Sequence, residues 1–461
     1  MKKFTGFLLV LTALLTICIL LTGCNYDLDL LGISSIQFND NGDLTLTMND
    51  GTVTVFEDIT NVNNDAEIIK TEVIDGYLWI TYAYAPDLPV KCGKITHEGT
   101  EGLKFTLLYD KTYGVEAGDA IDAEEIVIPS TYGNVPVTKI MPNGFEGAVN
   151  LKSITFSDTI TEIGSNAFSK CTSLTSLDIP YNIKTICEDA FSGCTSLESV
   201  TLSGGLEMLG GGAFYQCSSL TSIKLSRSIT GIYRRTFYGC TSLTSISIPN
   251  DVTYIGEEAF YGCTGLTHIK LPNAVTEIGD WAFAHCTDLE NIVLPEDLTT
   301  IGKGAFVSCE KLTKITIPDR VTSIGEIAFK NCSSLTSIAL PEGITVINKG
   351  TFAYCDNLRS IILPENLNCI YKEAFFGCSS LTSITIPNTV ESITDSAFSG
   401  CSSLTSITVS SDLRYIGNMA FLNCNSLATI NFGGTPQKWN SVIKGNNWNQ
   451  GTGPYKIIYA E

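Results

Sequence analysis

The sequence predicts a solenoid, a stack of small coils that each cover the apolar edge of the next. Phenylalanine recurs every 23 residues, thirteen times from Phe145 to Phe421, with no insertion or deletion. A leucine row from Leu151 to Leu427 keeps the same spacing in all thirteen coils. A constant period of about 20 to 29 residues is the signature of a repeat architecture. Because one coil cannot bury its own apolar edges, the stack needs neighbours and two end caps.

Each coil contains the pattern of two short strands and one tight turn. In residues 243–265, the letters LTSISI alternate inward apolar and outward small residues, which predicts a short parallel strand. Pro249 ends this strand because proline lacks a backbone donor, and DVTYI predicts a second short strand. Gly256 supplies the turn into EEAF, where we expect a single helical turn that buries Phe260.

The coil sequence resembles a known repeat. LTSISIP followed by VTYIGEEAFYGC is similar to the BspA-like leucine-rich repeat of bacterial and some protozoan surface proteins, over roughly residues 121 to 432. The resemblance implies a right-handed leucine-rich-repeat solenoid with parallel sheets, and a role in adhesion or ligand binding at cell surfaces. Two departures stand out: Ala148 replaces the usual cysteine, and Arg234-Arg235 interrupts the usual small acidic pair. The first departure is expected of a capping coil.

We expect the solenoid, residues 137–432, to lie between smaller elements. Residues 25–102 contain two small antiparallel β-hairpin modules, because asparagine-glycine and aspartate-glycine turn signals separate alternating strands. The family resemblance implies that residues 103–136 form the N-terminal cap of the solenoid. It also implies that residues 433–461 form the C-terminal cap, in which Trp439 covers the last apolar layer. A sugar-stacking role for Trp439 is the alternative.

Residues 1–24 are typical of a secretion signal. Lys2 and Lys3 precede an apolar run that ends in the letters LTGC at Cys24. This end resembles a bacterial lipobox, which implies cleavage before Cys24 and a diacylglycerol on its sulfur. Two or more acyl chains give firm attachment, so we expect a lipid-anchored protein on the extracellular face of a bacterial membrane. A retained transmembrane anchor is the alternative, although the run is short for a spanning helix.

Composition argues against several classes of function. The chain holds 28 Lys and Arg against 48 Asp and Glu, a net charge of −20. An acidic protein repels phosphate backbones, so no nucleic-acid partner is expected. The chain has three histidines and no nucleophile-elbow, zinc-protease or phosphate-loop motif. We therefore expect no enzymatic activity, no cofactor and no metal.

Twelve of the seventeen cysteines form a ladder, three residues after the repeat phenylalanines, from Cys171 to Cys424. A position that faces the same way in every coil favours a small apolar filler, and free cysteine is among the most buried residue types. We therefore predict reduced, buried thiols. Disulfides are the alternative, because coils about 4.8 Å apart place Cα atoms within disulfide reach.

Two surfaces are candidates for binding, and the first is aromatic. Tyr215, Tyr238 and Tyr261 follow the repeat phenylalanine in three successive coils, with Trp281 in the next coil. Rings stacked at coil spacing make a half-exposed ladder, and exposed aromatic residues are enriched where proteins bind partners. Cross-coil packing that stabilises the stack is the alternative.

The second candidate is a basic patch on the first strand. A row of outward serines changes to His268, Asn291 and Lys314, and the row two residues on carries Lys270. On an acidic protein these side chains, with Arg320 nearby, form a local positive patch. Chance variation on a tolerant surface is the alternative.

Together these features predict a binding scaffold. We expect the solenoid to present a broad, shallow face for adhesion to a host or neighbouring-cell surface protein or glycan, with affinity from area and repetition. A structural surface or cell-wall spacer with no single ligand is the alternative. A carrier of small solutes is not favoured, because a solenoid lacks an enclosed cleft.

Overall fold

The computed structural model describes residues 99–460 completely and, before them, the backbone of six strands. The chain divides into two units, Met1–Glu98 and Gly99–Glu461, and each is described by itself. The leader with Cys24 lies outside the described residues. Within the described part of the chain, no helix has the length and apolar character needed to cross a membrane.

The first unit contains two three-stranded antiparallel sheets. In each sheet the middle strand pairs with both of its neighbours in sequence. The strands are Ile33–Phe38, Leu44–Met48 and Val53–Phe56 in one sheet, and Ile68–Ile74, Tyr77–Tyr82 and Ala85–Lys94 in the other. The predicted antiparallel hairpin modules are confirmed, and the glycine turns that signalled them lie outside the described residues.

The second unit is a parallel-strand solenoid whose first strand row follows the Leu-x-x-Ile pattern. Neighbouring strands pair at an offset of one repeat, for example Ser176 with Ser199 and Ile179 with Leu202. Two coils contribute only single bridges, Lys224 to Ser247 and Lys314 to Ser337. The strands of this row are Glu125–Val127, Ser153–Thr155, Ser176–Ile179, Ser199–Leu202, Ser222–Lys224, His268–Lys270, Asn291–Val293, Ser337–Ala339, Ser360–Ile362, Ser383–Thr385, Ser406–Val409, Thr429–Phe432 and Lys456–Tyr459.

The second strand row follows the Val-x-x-Ile pattern. Its inward isoleucines stay in register from coil to coil, as Ile163 does with Ile186. Ile232 joins the row through a bridge to Ile255. The strands of this row are Tyr113–Glu116, Val135–Ile140, Glu162–Ile163, Thr185–Ile186, Met208–Leu209, Tyr254–Ile255, Glu277–Ile278, Thr300–Ile301, Ser323–Ile324, Val346–Ile347, Cys369–Ile370, Ser392–Ile393, Tyr415–Ile416 and Ile443–Lys444.

The two ends of the stack differ from the repeat. At the start, Lys104–Leu107 runs antiparallel to Tyr113–Glu116, and Thr131–Tyr132 runs antiparallel to Val135–Ile140. A 3-10 helix covers Gly118–Asp122. These elements occupy the residues that the sequence predicts as the N-terminal cap.

A short α-helix, Pro436–Ser441, lies at the other end. Trp439 on this helix is 5% exposed, and its ring contacts Phe432 and Trp448 with centroids 5.2 and 6.2 Å away. Trp448 in turn meets the edge of the last repeat ring, Phe421, at 6.1 Å. The two indoles therefore cover the last apolar layer, and the burial of Trp439 leaves no free face for a sugar.

The core is a continuous column of rings. All thirteen repeat phenylalanines are at most 1% exposed. Consecutive rings stack nearly parallel, with centroids 5.0–5.9 Å apart and interplanar angles of 2–16°. Offset-stacked rings are a favourable aromatic arrangement. Each coil therefore seals the apolar layer of the coil before it.

A third set of contacts joins the coils at their turns. In the coil of Phe260, the N–H groups of Glu258, Phe260 and Gly262 donate to carbonyls of the next coil at 2.8–2.9 Å. Glu258 and Gly262 have φ values of 55° and 69°, which lie outside the right-handed helical region. The segment predicted as a single helical turn is therefore a pair of tight turns. Alternate N–H groups bond to the next coil, and those between them, such as Tyr261 N–H to the Glu258 carbonyl at 3.1 Å, donate to the residue three positions earlier.

The cysteine ladder lies beside the ring column. All twelve ladder cysteines are free, fully buried thiols. Each Sγ donates to the carbonyl of the repeat phenylalanine one coil earlier, at 3.1–3.2 Å. The thiol thus fills space and also pairs a buried carbonyl. Ala148 has no such partner, because no repeat phenylalanine precedes the coil of Phe145.

Candidate binding surfaces

The tyrosine ladder consists of Tyr215, Tyr238 and Tyr261. Their rings stack at centroid distances of 4.8 and 4.7 Å, with interplanar angles of 21° and 3°. Each follows a buried repeat phenylalanine and points away from the core, so all three rings are partly exposed. The sequence placed these three residues together, and the structure brings them into contact.

The ladder ends on a histidine and not on the predicted tryptophan. The His285 ring lies 5.1 Å from the Tyr261 ring, tilted by 55°. Trp281 stands two residues before its repeat phenylalanine, with φ 59°. Its ring covers Gly304 of the next coil so closely that a Cβ there would lie 2.7 Å from the indole. Trp281 therefore packs at the other end of the turn, away from the tyrosine rings.

Charged pairs flank the ladder and account for the unusual arginines. Arg235 is paired with Glu258 of the next coil, and Arg234 is paired with Glu257 at 3.4 Å. The bond to Glu258 raises the pKa of Arg235. Burial, followed by the neighbouring tyrosines, raises the pKa of Tyr238. The Tyr238 hydroxyl thus stays protonated beside the ion pair of Arg235 and Glu258.

A separate aromatic pair lies at the corner before the turns. Tyr233 and Tyr254 meet edge to face, with centroids 5.4 Å apart. Gly231 makes room for this pair, because a Cβ there would lie 2.5 Å from the Tyr254 ring. Burial and the hydrogen bond with Tyr233 raise the pKa of Tyr254. These rings serve packing between coils and lie apart from the ladder.

The basic patch is exposed on the first strand row. His268 and Lys270 flank the buried Ile269 on one strand, and Lys314 stands in the same column as His268 two coils later. Among residues 99–460, neither lysine has an acidic partner within 4.0 Å. His268 Nδ1 lies 3.0 Å from Thr267 Oγ1. Arg320, predicted to lie nearby, is bound to Asp297 at 2.6 Å, so its charge is locally balanced.

The structure also contains a groove that sequence reasoning missed, here called the corner groove. It lies where the second strand row leads into the turns and has a volume of about 540 Å³. Its lining includes Glu326, Lys349, Tyr371, Lys372, Asp395 and Tyr415. One signal was available, because Tyr371 stands where seven coils have glycine. The groove itself depends on residues from different coils.

A smaller groove of about 330 Å³ lies at the same corner in earlier coils. Glu257, Glu277 and Asp280 make it acidic, and Gly256 and Gly279 form part of its lining. Within the described part of the chain, no group of acidic, histidine or cysteine side chains is arranged to hold a metal ion.

The repeats match one protein family. The profile described as "BspA type Leucine rich repeat region (6 copies)" matches residues 120–242, 230–349 and 322–443. These matches together span the thirteen coils and extend into the C-terminal cap. The comparison with curated proteins finds no match.

The solved structures that are similar to this chain include two bacterial leucine-rich repeat proteins. A leucine-rich repeat protein from Bacteroides ovatus ATCC 8483 is 26% identical, with a TM-score of 0.61, over 78% of this chain and 99% of that chain. A leucine rich cell surface protein from Faecalibacterium prausnitzii A2-165 is 29% identical, with a TM-score of 0.42, over 74% of this chain and 96% of that chain. The first likeness supports the solenoid described above.

Proposed function

The chain belongs to the BspA-type leucine-rich repeat family, and we propose that it binds a host or neighbouring-cell surface protein or glycan while held by lipid on the extracellular face of a bacterial membrane. Leucine-rich-repeat solenoids typically serve protein binding or adhesion, and they are typically scaffolds without enzymatic activity. The tyrosine ladder is the observation that carries the binding role.

The ladder supports binding because its rings are fixed before a partner arrives. The carbonyls of Tyr215, Tyr238 and Tyr261 accept backbone hydrogen bonds from the preceding coil at 2.6–2.7 Å. Preorganised side chains lose little conformational entropy when they bind. Tyrosine also offers an apolar ring face together with a hydroxyl, which suits protein and sugar surfaces alike. Three stacked rings therefore offer a rigid amphipathic strip.

The basic patch adds an electrostatic element on another face of the coils. His268, Lys270 and Lys314 are exposed on a chain with a net charge of −20. A local patch of opposite sign attracts an acidic group on a partner and raises the association rate. The patch supports the same binding function because it would orient an acidic partner, and we propose no catalytic role for it.

The ladder is tested by replacing all three tyrosines with serine in the full chain. We expect the unmodified protein to show saturable binding to one component of an array of matrix proteins and surface glycans. The triple variant loses that binding, because the apolar ring faces are gone. Tyr181→Ser is the matched control, since Tyr181 is 69% exposed but lies outside the ladder, and it leaves binding unchanged. Melting is recorded for all three proteins.

Two outcomes contradict this role of the ladder. If the triple variant melts at a lower temperature but still captures the same array component, the rings serve cross-coil packing and another surface binds that component. If the unmodified protein captures nothing on the array, the structural spacer replaces adhesion as the better explanation.

A further inference from the structure

The corner groove runs along the stack and is not a closed pocket. It crosses five successive coils, from Glu326 to Tyr415. At about 4.8 Å per coil its length is on the order of 20 Å. Such a strip suits an extended chain of several units better than a compact small molecule.

Two tyrosines stand at diagonal positions in the groove. Tyr371 is 44% exposed, and its N–H is fixed to the carbonyl of Ile347 at 2.9 Å. Tyr415 begins a second-row strand two coils later and pairs with Ser392. Thr394 lies in the coil between them. Neither tyrosine ring stacks on another aromatic ring in residues 99–460, so both rings have surface available to a ligand.

The charges in the groove balance. Lys349 and Lys372 face the same space as Glu326 and Asp395, although the whole chain carries −20. Lys372 also lies 3.6 Å from Glu373. A polyanion would meet the two carboxylates, and a polycation would meet the two ammonium groups. The groove therefore favours a neutral ligand that both donates and accepts hydrogen bonds.

The polar groups are held in place by the coils. Asp395 Oδ1 accepts from the Asn418 N–H at 2.8 Å, and the Asn348 amide donates to the Ile324 carbonyl at 2.7 Å. The Thr394 hydroxyl is the one buried side-chain oxygen in residues 99–460 that lacks a hydrogen-bond partner. An unpaired buried hydroxyl costs free energy, and Thr394 is one of the residues that line the groove.

From these contacts we propose that the corner groove binds an extended neutral oligosaccharide. Sugar rings present C–H faces that pack on tyrosine rings, and their hydroxyls pair with carboxylate, ammonium and amide groups. The site is independent of the tyrosine ladder, so loss of one binding activity leaves the other intact.

The test measures binding of the full chain to cellohexaose, chitohexaose and mannohexaose by calorimetry. Hyaluronan hexasaccharide serves as the anionic probe and decaproline as the peptide probe. We expect saturable binding of at least one neutral hexamer, with a dissociation constant that changes less than about twofold between low and high salt, because no net charge is neutralised. Tyr371→Ala combined with Tyr415→Ala weakens this binding by about tenfold or more. Tyr109→Ala, at a fully exposed tyrosine outside the groove, leaves it unchanged.

The alternatives give different results in the same experiment. Binding of hyaluronan alone, lost at high salt, overturns the neutral ligand. Binding of decaproline alone assigns the groove to peptides. A double variant that melts like the unmodified protein and keeps its affinity for the hexamer removes the groove as the site, as does the absence of binding to every probe.

Discussion

At the scale of single residues, the turns depend on backbone conformations that most side chains avoid. The residue two positions before each repeat phenylalanine has a φ between 52° and 64° in all thirteen coils, and only three of these residues are glycine. The left-handed region costs an L residue roughly 1–2 kcal/mol. Ile327, with φ 52°, is the least suited, because its Cβ is branched. The bonds between coils hold it there.

Because of this strain, glycine should be more stabilising than alanine at position 327, the opposite of the order at an ordinary strand position. Ile327→Gly should be more stable than Ile327→Ala by about 1 kcal/mol, because glycine adopts positive φ without a steric cost. Denaturant unfolding measures the difference. Ile362 is the control, since it is 68% exposed on a first-row strand, and there the alanine variant should be the more stable one. The same order at both sites would contradict the strain at Ile327.

At the scale of the element, burial raises the pKa of thiols along the cysteine ladder. Burial raises the pKa of Cys217, Cys263 and Cys332 to about 12, from an ordinary thiol value of 9.0. A thiolate in this row would be unsolvated, and the hydrogen bond to the phenylalanine carbonyl would lose its donor. The folded coils therefore require protonated thiols.

The buried thiols of the cysteine ladder predict that the folded chain becomes less stable at alkaline pH. The pKa of these thiols is higher in the folded than in the unfolded chain. Their contribution to the free energy of unfolding is therefore complete below about pH 9 and is lost as pH rises toward 12. Thermal melting of the full chain should be steady near neutral pH and fall above about pH 9. A variant with alanine at Cys217, Cys240 and Cys263 should show a smaller fall. An equal fall in both proteins would assign the effect to other groups.

The strand rows could be predicted from the sequence, but the turns could not. Inward residues such as Ile246 and Ile255 reveal strands because apolar spacing alone decides which side is buried. The φ of Glu258 follows from bonds to the next coil, so the letters EEAF resemble helix in isolation. Trp281 is next to the tyrosines in sequence order, yet its left-handed backbone directs it to Gly304.

The two candidate sites also differ in how far the sequence predicts them. The tyrosine ladder was predictable because its members occupy one position of the repeat, and equal positions stack. The corner groove combines Tyr371 and Tyr415, which occupy different positions in coils that are not neighbours. Its walls become a single surface only after the coils are stacked, so the sequence shows one isolated sign of it, Tyr371 at a position that is glycine in seven coils.

At the scale of the whole molecule, the proposed anchor would present the solenoid outside the cell. We expect the chain to incorporate an alkyne fatty acid during growth and to partition into detergent, because its acyl chains favour an apolar phase. Cys24→Ser should abolish both, since its hydroxyl cannot carry the thioether-linked lipid. Cys18→Ser, within the apolar run, is the control and should behave like the unmodified chain. Fatty-acid labelling that persists in Cys24→Ser would contradict the lipobox.

Because the coils are stacked at an equal offset, such a chain can gain or lose complete repeats. Twelve of the thirteen repeat phenylalanines donate their N–H to the carbonyl of the residue 22 positions later, as Phe168 does to Ala190 and Phe375 does to Ala397. Removal or duplication of complete periods joins a coil to an equivalent surface, whereas a change that is not a whole number of periods turns a buried row toward water. Unequal recombination between neighbouring repeats would therefore yield shorter or longer proteins that still fold, so the number of coils can vary without redesign of the core.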